Sequence, residues 1–223
     1  MARSRARARV DEVVPVAVPE TSDKSMVTRP RSSKGVRTRE RLVEAAREIF
    51  ETQGFTEARI SDIAERAGQS HGSFYYYFDS KEEVFREVAA AVDDQLFAPL
   101  DDVIMAKSWL APQQRIREAM RRHLESYRQH ARIMALIEQV SRHDAEVNAL
   151  RMARHKRHTD EVTKSIRQMQ RRKIADASLD PAIVATAFGA LTHRFAEIWL
   201  VHGAVECTLE HAVEQLSRLF ENA

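Results

Sequence analysis

Seven polar side chains crowd into thirteen positions of one segment: Gln69, Ser70, His71, Ser73, Tyr75 and Tyr76, with Lys81 a few residues on. They offer an amide, two hydroxyls, an imidazole, two phenols and one ammonium. This is the chemistry of hydrogen-bonded recognition rather than of bond breaking. Hydroxyls suit phosphate oxygens, amide and imidazole groups suit base edges, and Gly72 lets a partner surface approach closely. The same segment, GQSHGSFYYYFDSKEE, holds five consecutive aromatics from Phe74 to Phe78. At about 100° per residue, Phe74, Tyr77 and Phe78 share one side of a helix and Tyr75 and Tyr76 share the other, beside His71 and Ser73. The first three rings are expected to pack inward, and the two phenols to face out.

No comparable set exists for catalysis. Nucleophile motifs, paired carboxylates and phosphate-cradling glycine loops are missing from the sequence, so neither an enzyme nor a cofactor is expected. His155 and His158 stand a helical turn apart and could clamp a metal, but no third ligand accompanies them. They read as solvated histidines on a basic helix, and no metal is expected. His193 and Glu197, four apart, can pair on one helix face. That pair reads as a satisfied polar spot in a dimer seam, with a polar anchor in a pocket as the second reading.

The elements that must position the recognition set are helical. TRERLVEAAREIFETQG puts Leu42, Ala46, Ile49 and Phe50 on one stripe and stops at Gly54. ISDIAERAG turns Ile60, Ile63, Ala64 and Ala67 inward and stops at Gly68. Two helices joined by a tight Ala67–Gly68 turn make a helix-turn-helix, with Ile63, Ala64, Gly68, Phe74, Tyr77 and Phe78 as its core. Ser80 and Glu83 form a capping box that launches a long helix towards Pro99. Further on, Ile116, Met120, Leu124, Tyr127, Met134 and Ile137 recur at helical spacing, as do Val162, Ile166 and Met169. Asp180-Pro181 opens a helix to about residue 202 that is apolar on most faces, and Thr208 opens the last. No convincing strand alternation occurs, so the fold class is all-α. The expected divisions are a disordered basic arm over 1–35, a helix-turn-helix domain over 36–96 and a second helical domain over 97–223.

Composition agrees with a soluble chain: of 223 residues, 43% are hydrophobic and 30% charged, and the net charge is +2. No apolar run approaches the ~18 residues of a membrane span. The single cysteine, Cys207, fits a reducing cytoplasm. Charge is uneven along the chain. Arg29 to Arg41 carries six basic residues against one acid, and Arg151 to Lys173 carries nine against two. The second stripe reads as a solvated helix face, with a mouth for an anionic effector as the alternative. Met26 offers an internal start, and the arm before it is expected to reflect start-site choice.

The ordered pieces AAREIFETQGF, DIAERAG, GSFYYYF and SKEEVF, spread over about residues 37 to 85, resemble the N-terminal domain of the tetracycline-repressor-like family of bacterial transcription regulators. The resemblance implies a homodimeric regulator that reads double-stranded operator DNA with its first three helices, most simply a repressor, with an activator or a ligand-independent regulator of the same fold, or a helical enzyme, as the alternatives. It maps the family's base and phosphate contacts onto Gln69, Ser70, His71, Ser73, Tyr75, Tyr76 and Lys81, with Gly72 among them for close approach. Arg37, Arg39 and Arg59 are added as phosphate contacts, although Arg59 stands where the family usually has a hydroxyl cap and His71 where a lysine is frequent. A small effector, apolar or acyl-coenzyme-A-like, would sit in the C-terminal domain against Met120, Leu124, Tyr127, Met134, Ile137 and Phe188. The last two helices would pair with their mates through Phe195, Trp199, Leu209, Val213, Leu216 and Phe220.

From Arg37 to Asp79 six basic residues meet eight acids, so the domain proper is slightly acidic. Affinity for a polyanion needs cationic contacts, and Arg31, Lys34, Arg37 and Arg39 are placed to supply them. Deleting residues 1–35 is therefore expected to weaken DNA binding and flatten the plot of log affinity against log salt. An unchanged slope in an anisotropy titration would remove the arm from the contact.

Overall fold

The computed structural model describes residues 32–105 and 111–221; the expected basic arm lies outside them except for its last four residues. Eight helices and no strand occur among the described residues: α1 (Ser33–Glu57), α2 (Ile60–Arg66), α3 (His71–Tyr77), α4 (Lys81–Met105), α5 (Pro112–Ser141), α6 (Ala145–Arg171), α7 (Pro181–Leu200) and α8 (Leu209–Glu221). The all-α expectation holds. Where the sequence extends the arm to residue 35, Ser32 instead caps α1, its hydroxyl accepting from the Gly35 amide at 3.1 Å. An arm deletion that spares this cap ends at residue 31.

Local chemistry sets most of the boundaries. Gly54 takes φ 79° and breaks the helical path of α1, and Gly68 takes φ 64° in the turn between α2 and α3. Both angles lie where a Cβ would be strained. Ser70 caps α3, its hydroxyl accepting from the Ser73 amide at 3.1 Å. Ser80 accepts from the Glu83 amide at 3.1 Å, while the Glu83 carboxylate reaches back to the Asp79 amide at 2.5 Å. The predicted capping box thus closes one residue earlier than the standard pattern. Asp144 and Asp180 cap α6 and α7 through two amides each.

α4 does not end near Pro99. It continues to Met105, and the expected boundary at residue 96 falls inside it. A proline inside a helix removes a backbone bond. Val92, Leu96, Phe97 and Leu100 are buried along the same helix, and that burial holds it together. The long helix therefore belongs to both parts of the molecule. Near its start, Phe85 meets Phe50 and Phe55 with ring centroids at 5.2 and 4.9 Å. Leu42, Ile63, Phe74, Phe78 and Val84 complete that core. Near its end, Leu96 and Phe97 join Leu124, Tyr127, Ile133, Met134, Ile137 and Val147.

Phe85 joins α1 and α4 and is fully buried. Phe85→Ala is expected to cost about 3–5 kcal/mol of folding stability, read from the urea midpoint at unchanged slope. A loss below about 1 kcal/mol would mean that this aromatic cluster does not tie the two helices together.

Candidate nucleic-acid interface and ligand cavity

The aromatic run divides as the helical spacing requires. Phe74 and Phe78 are buried and Tyr77 is half-buried against the core, whereas Tyr75 is 48% and Tyr76 76% exposed. Phe78 itself lies just past α3, in extended conformation. His71 is exposed and meets the Tyr75 ring edge-on at 5.2 Å. Within the face, Ser73 Oγ donates to Gln69 Oε1 at 3.0 Å, and Gln69 Nε2 donates to the Gly68 carbonyl at 2.9 Å. The hydroxyl of Ser70 accepts from an amide as the cap but keeps its own proton to give. Gly72 is exposed, and nothing lies within 4 Å of where its Cβ would be. The structure therefore brings Gln69, Ser70, His71, Gly72, Ser73, Tyr75 and Tyr76 onto one accessible surface.

The cations are less uniform. Arg37 and Arg59 are exposed, and Arg59 makes no side-chain cap bond to α2. Arg39 lies over the Phe78 ring and donates to Glu87 at 2.7 Å. Lys81 donates to the Thr56 and Ala58 carbonyls, each at 3.0 Å, with its ammonium over the Phe55 ring. Of its three donors, one remains for a phosphate.

The second candidate site is a cavity of about 500 Å³ between α4, α5, α6, α7 and the end of α8. Phe97, Met120, Val162, Ile166, Met169 and Phe188 supply its apolar wall. Of the six residues expected to line an effector pocket, Met120 and Phe188 do so. Leu124, Tyr127, Met134 and Ile137 do not; they are fully buried core side chains packed between helices. Periodicity marks them as inward, but the void lies further along the bundle.

Four histidines, His123, His155, His158 and His193, line the same cavity. His155 and His158 are not the solvated pair of the sequence reading. Their rings pack against Phe97 at 5.4 and 4.8 Å, and His155 meets His193 at 5.3 Å. No set of three or more His, Cys, Asp or Glu among the described residues converges closely enough to hold a metal ion. His193 does not pair with Glu197 either. Glu197 is bound by Arg194 at 2.6 Å and by His202 at 3.4 Å, and His193 turns instead to Tyr127 and the cavity. Of the two readings of His193, the pocket-lining one matches its place.

Burial dominates the protonation of this cluster. It lowers His123 to about 3, with His193, His158 and His155 adding repulsion. It lowers His155 to about 4, helped by Arg151 and His158, and His193 to about 4, helped by His155 and Arg151. Both ring nitrogens of His123 and Nδ1 of His193 are buried without a hydrogen-bond partner. Nearby, burial raises Asp93 to about 6 against the pull of Arg151 and Arg154. Arg151 and Arg154, from the stripe read as solvated, are internal braces: Arg151 binds Glu138 at 2.6 Å and Ser141 at 2.8 Å, and Arg154 binds Asp94 at 2.9 Å.

The expected dimer residues are mostly internal. Leu209, Val213 and Leu216 are buried within the chain, on the face of α8 that meets α5. Phe220 lies against Phe188 in the lining of the cavity. Trp199 is buried beneath the guanidinium of Arg128, with Phe195 half-buried beside it. The outward face of α7 carries Ile183, 69% exposed, with Ala187, Ala190 and Leu191, and α8 exposes Leu219 at 55%. The signal for these residues was present: a helix apolar on most faces has more to bury than one core can cover.

Three comparisons bear on this geometry. The model of the bacterial regulatory proteins of the tetR family matches residues 42–88. An uncharacterised helix-turn-helix regulator of Bacillus subtilis, YdgC, is 48% identical over 56 residues, which cover 25% of this chain and 29% of YdgC. The transcriptional repressor NicS of Pseudomonas putida is 40% identical over 58 residues, covering 26% and 27%. The chain thus matches less than a third of the length of either relative. Beyond that segment the likeness is one of fold. A crystal structure of a TetR-family regulator from Mesorhizobium loti superposes with a TM-score of 0.73 at 18% identity, covering 85% of this chain and 97% of that one.

Two predictions arise from the site. Phe78→Ala is expected to cost about 3–5 kcal/mol of stability, while Tyr76→Phe leaves the urea midpoint within about 0.5 kcal/mol. Equal losses would place the Tyr76 hydroxyl in the fold rather than on the surface.

The second concerns acid. An unfolded histidine titrates near 6.5, and the buried ones far lower. Below about pH 6.5 the unfolded chain binds protons that the folded chain refuses, so stability is undiminished above that pH and falls towards pH 4. Asp93 has the opposite sign, since the folded carboxyl takes its proton first, and it offsets part of the loss. The net is about two protons near pH 5, or roughly 2–3 kcal/mol per pH unit. Urea titrations at pH 7 and 5 check this, with His123→Gln expected to reduce the slope by about one proton. Equal stability at both pH values would overturn it.

Proposed function

Because the chain belongs to the tetR family of bacterial regulatory proteins, we propose that it is a dimeric, ligand-responsive repressor of transcription. The observation that carries the reading is the face of exposed His71, Tyr75 and Tyr76 with half-buried Gln69 and Ser73 beside them, on a segment anchored by Phe74 and Phe78. Donors on that face suit base edges and phosphates in a major groove. One such helix per protomer would read grooves roughly 34–36 Å apart, or a multiple of this, on a near-palindromic operator.

The dimer contact we assign to the outward faces of α7 and α8. Ile183, Ala187, Ala190, Leu191 and Leu219 are exposed apolar side chains, and exposed apolar patches mark interaction surfaces. A protein of this kind would act in the cytoplasm, and no described helix is long and apolar enough to cross a membrane.

The effector would occupy the cavity beside α4. Phe97 and Leu100, from the far end of that helix, line it, and the near end begins directly after α3. A ligand that moves α4 changes the separation of the two reading helices. By linkage it must bind the free dimer more tightly than the DNA-bound one.

Mobility shift of the DNA upstream of its own gene tests the reading. The purified chain is expected to retard that fragment, and Tyr76→Phe to weaken retardation without loss of fold. Failure to retard either that fragment or any sequence selected from a random pool would overturn it. Leu191→Glu is expected to shift the sedimentation profile towards monomer; an unchanged dimer would move the interface elsewhere.

A further inference from the structure

We propose that the cavity takes an apolar carboxylic acid with its polar end innermost, and that a histidine of the His123–His155–His193 cluster takes up a proton as the carboxylate arrives. The inference rests on reading the cavity as an effector site and names the chemistry of the effector.

The cavity is polar at its mouth and again among its buried lining. Exposed Gln113, Ile174 and Asp176 mark the mouth, and Met120, Val162, Ile166, Met169 and Phe188 make the apolar wall. The second polar set is shielded from solvent: His123 is buried with neither ring nitrogen partnered, and His193 has a buried, unpartnered Nδ1. Buried donors and acceptors without partners are costly. A neutral imidazole carries one of each. The group that satisfies them must enter past the apolar wall, so the ligand is apolar behind a hydrogen-bonding head. A volume of about 500 Å³ lies in the range that holds a small organic molecule.

The surrounding charges select the head. From α4, Asp94 is held by Arg154, and Asp93 is buried and readily protonated. On α5, Glu138 is bound to Arg151, and Arg115 lines the wall. α6 presents Arg151, Arg154, His155 and His158. α7 adds His193 and a Glu197 committed to Arg194 and His202. Asp176 of the α6–α7 loop and Glu221 of α8 also line the cavity. Among the described residues, the carboxylates that act on the inner histidines, Glu138 and Glu197, are already paired, so a cationic head finds little free counter-charge beside them. A bare carboxylate would be costly to bury as well. A carboxylate that arrives with a proton is not: the proton adds from solvent to a ring nitrogen, and an N–H to carboxylate pair forms with no change in the cavity's net charge. Transfer of that proton to the oxygen gives the equivalent acid–imidazole pair.

The test uses the full chain without DNA, titrated calorimetrically with decanoate, 2-naphthoate, 1-decanol and decylammonium. Two buffers of different ionisation enthalpy count protons. At least one acid is expected to bind with uptake of about one proton, its affinity rising about tenfold per unit fall in pH through the titration of the bound histidine. Decanol should bind more weakly and without proton uptake, and decylammonium should not bind. His123→Gln should reduce the uptake. Should it fail to fold, His193→Gln serves as the second variant, with circular dichroism confirming the fold. PH-independent binding of the acids, equal binding of decanol, preference for the amine, or no binding by either acid would overturn the proposal. Mobility shift separates this from the broader reading. Acids that bind with proton uptake but leave DNA affinity unchanged support the cavity chemistry and refute the effector role. Release of DNA by other compounds while neither acid binds does the reverse.

Discussion

The structure depends on α4 being one unbroken helix. A helix is stiff because each turn is hydrogen-bonded to the next, so a displacement at one end reaches the other with little loss. Here the two ends lie in different environments. Phe85 sits in the aromatic cluster with Phe50 and Phe55, and Phe97, more than three turns later, packs against His155 and His158. Gln95 adds a lateral tie between them. Its side-chain oxygen receives Arg47 of α1 at 3.3 Å and lies 2.8 Å from the His130 ring of α5, while its carbonyl accepts from Ser126 at 3.1 Å. Both the recognition surface and the cavity take their positions from this helix.

Ion pairs reinforce the same element at several heights. Arg39 of α1 binds Glu87, Arg86 binds Glu146 at the start of α6, and Arg154 of α6 binds Asp94. Exposed pairs contribute little each. Their value here is geometric, because each fixes the rotation of α4 about its own axis, and rotation decides whether Phe97 faces the cavity. Arg151 differs from these in being deeply buried. Its partners Glu138 and Ser141 satisfy it, and breaking that set would strand a charge inside the bundle.

What the sequence made legible was local. Caps at Ser80 and Asp180, stops at Gly54 and Gly68, and the split of the aromatic run follow from chemistry within four or five residues. The cavity did not follow, because whether an inward side chain meets another side chain or a void depends on helices distant in sequence. Met120 and Leu124 share one stripe of α5, yet one lines the cavity and the other is sealed in the core. His155 and His158 misled for the same reason. Their helix is basic and looks solvated, and only Phe97 and His193, from two other helices, turn them inside. The outward faces of α7 and α8 were hidden differently: both helices are apolar on more than one side, and larger residues such as Trp199 are buried within the chain.

The accessible face of α3 also bears on where affinity and selectivity would come from in the proposed complex. In the free protein its polar groups are already engaged with one another, Ser73 with Gln69 and Gln69 with the Gly68 carbonyl. In the proposed complex, DNA would exchange these bonds for bonds to bases, and an exchange of comparable hydrogen bonds yields little net free energy. Its consequence is discrimination, since a wrong base leaves Ser73 or Gln69 free to return to its internal partner. Affinity then rests on charge. Within the domain Arg39 is tied to Glu87, Arg66 to Glu48, and Lys81 to two carbonyls, so most cations near the face are partly spent on the fold. Arg37 and Arg59 are the exposed exceptions. A face with so little free charge of its own would discriminate between sequences but bind weakly alone, so in the proposed dimer the burden of affinity would fall on the basic approach to α1 and on pairing two such faces.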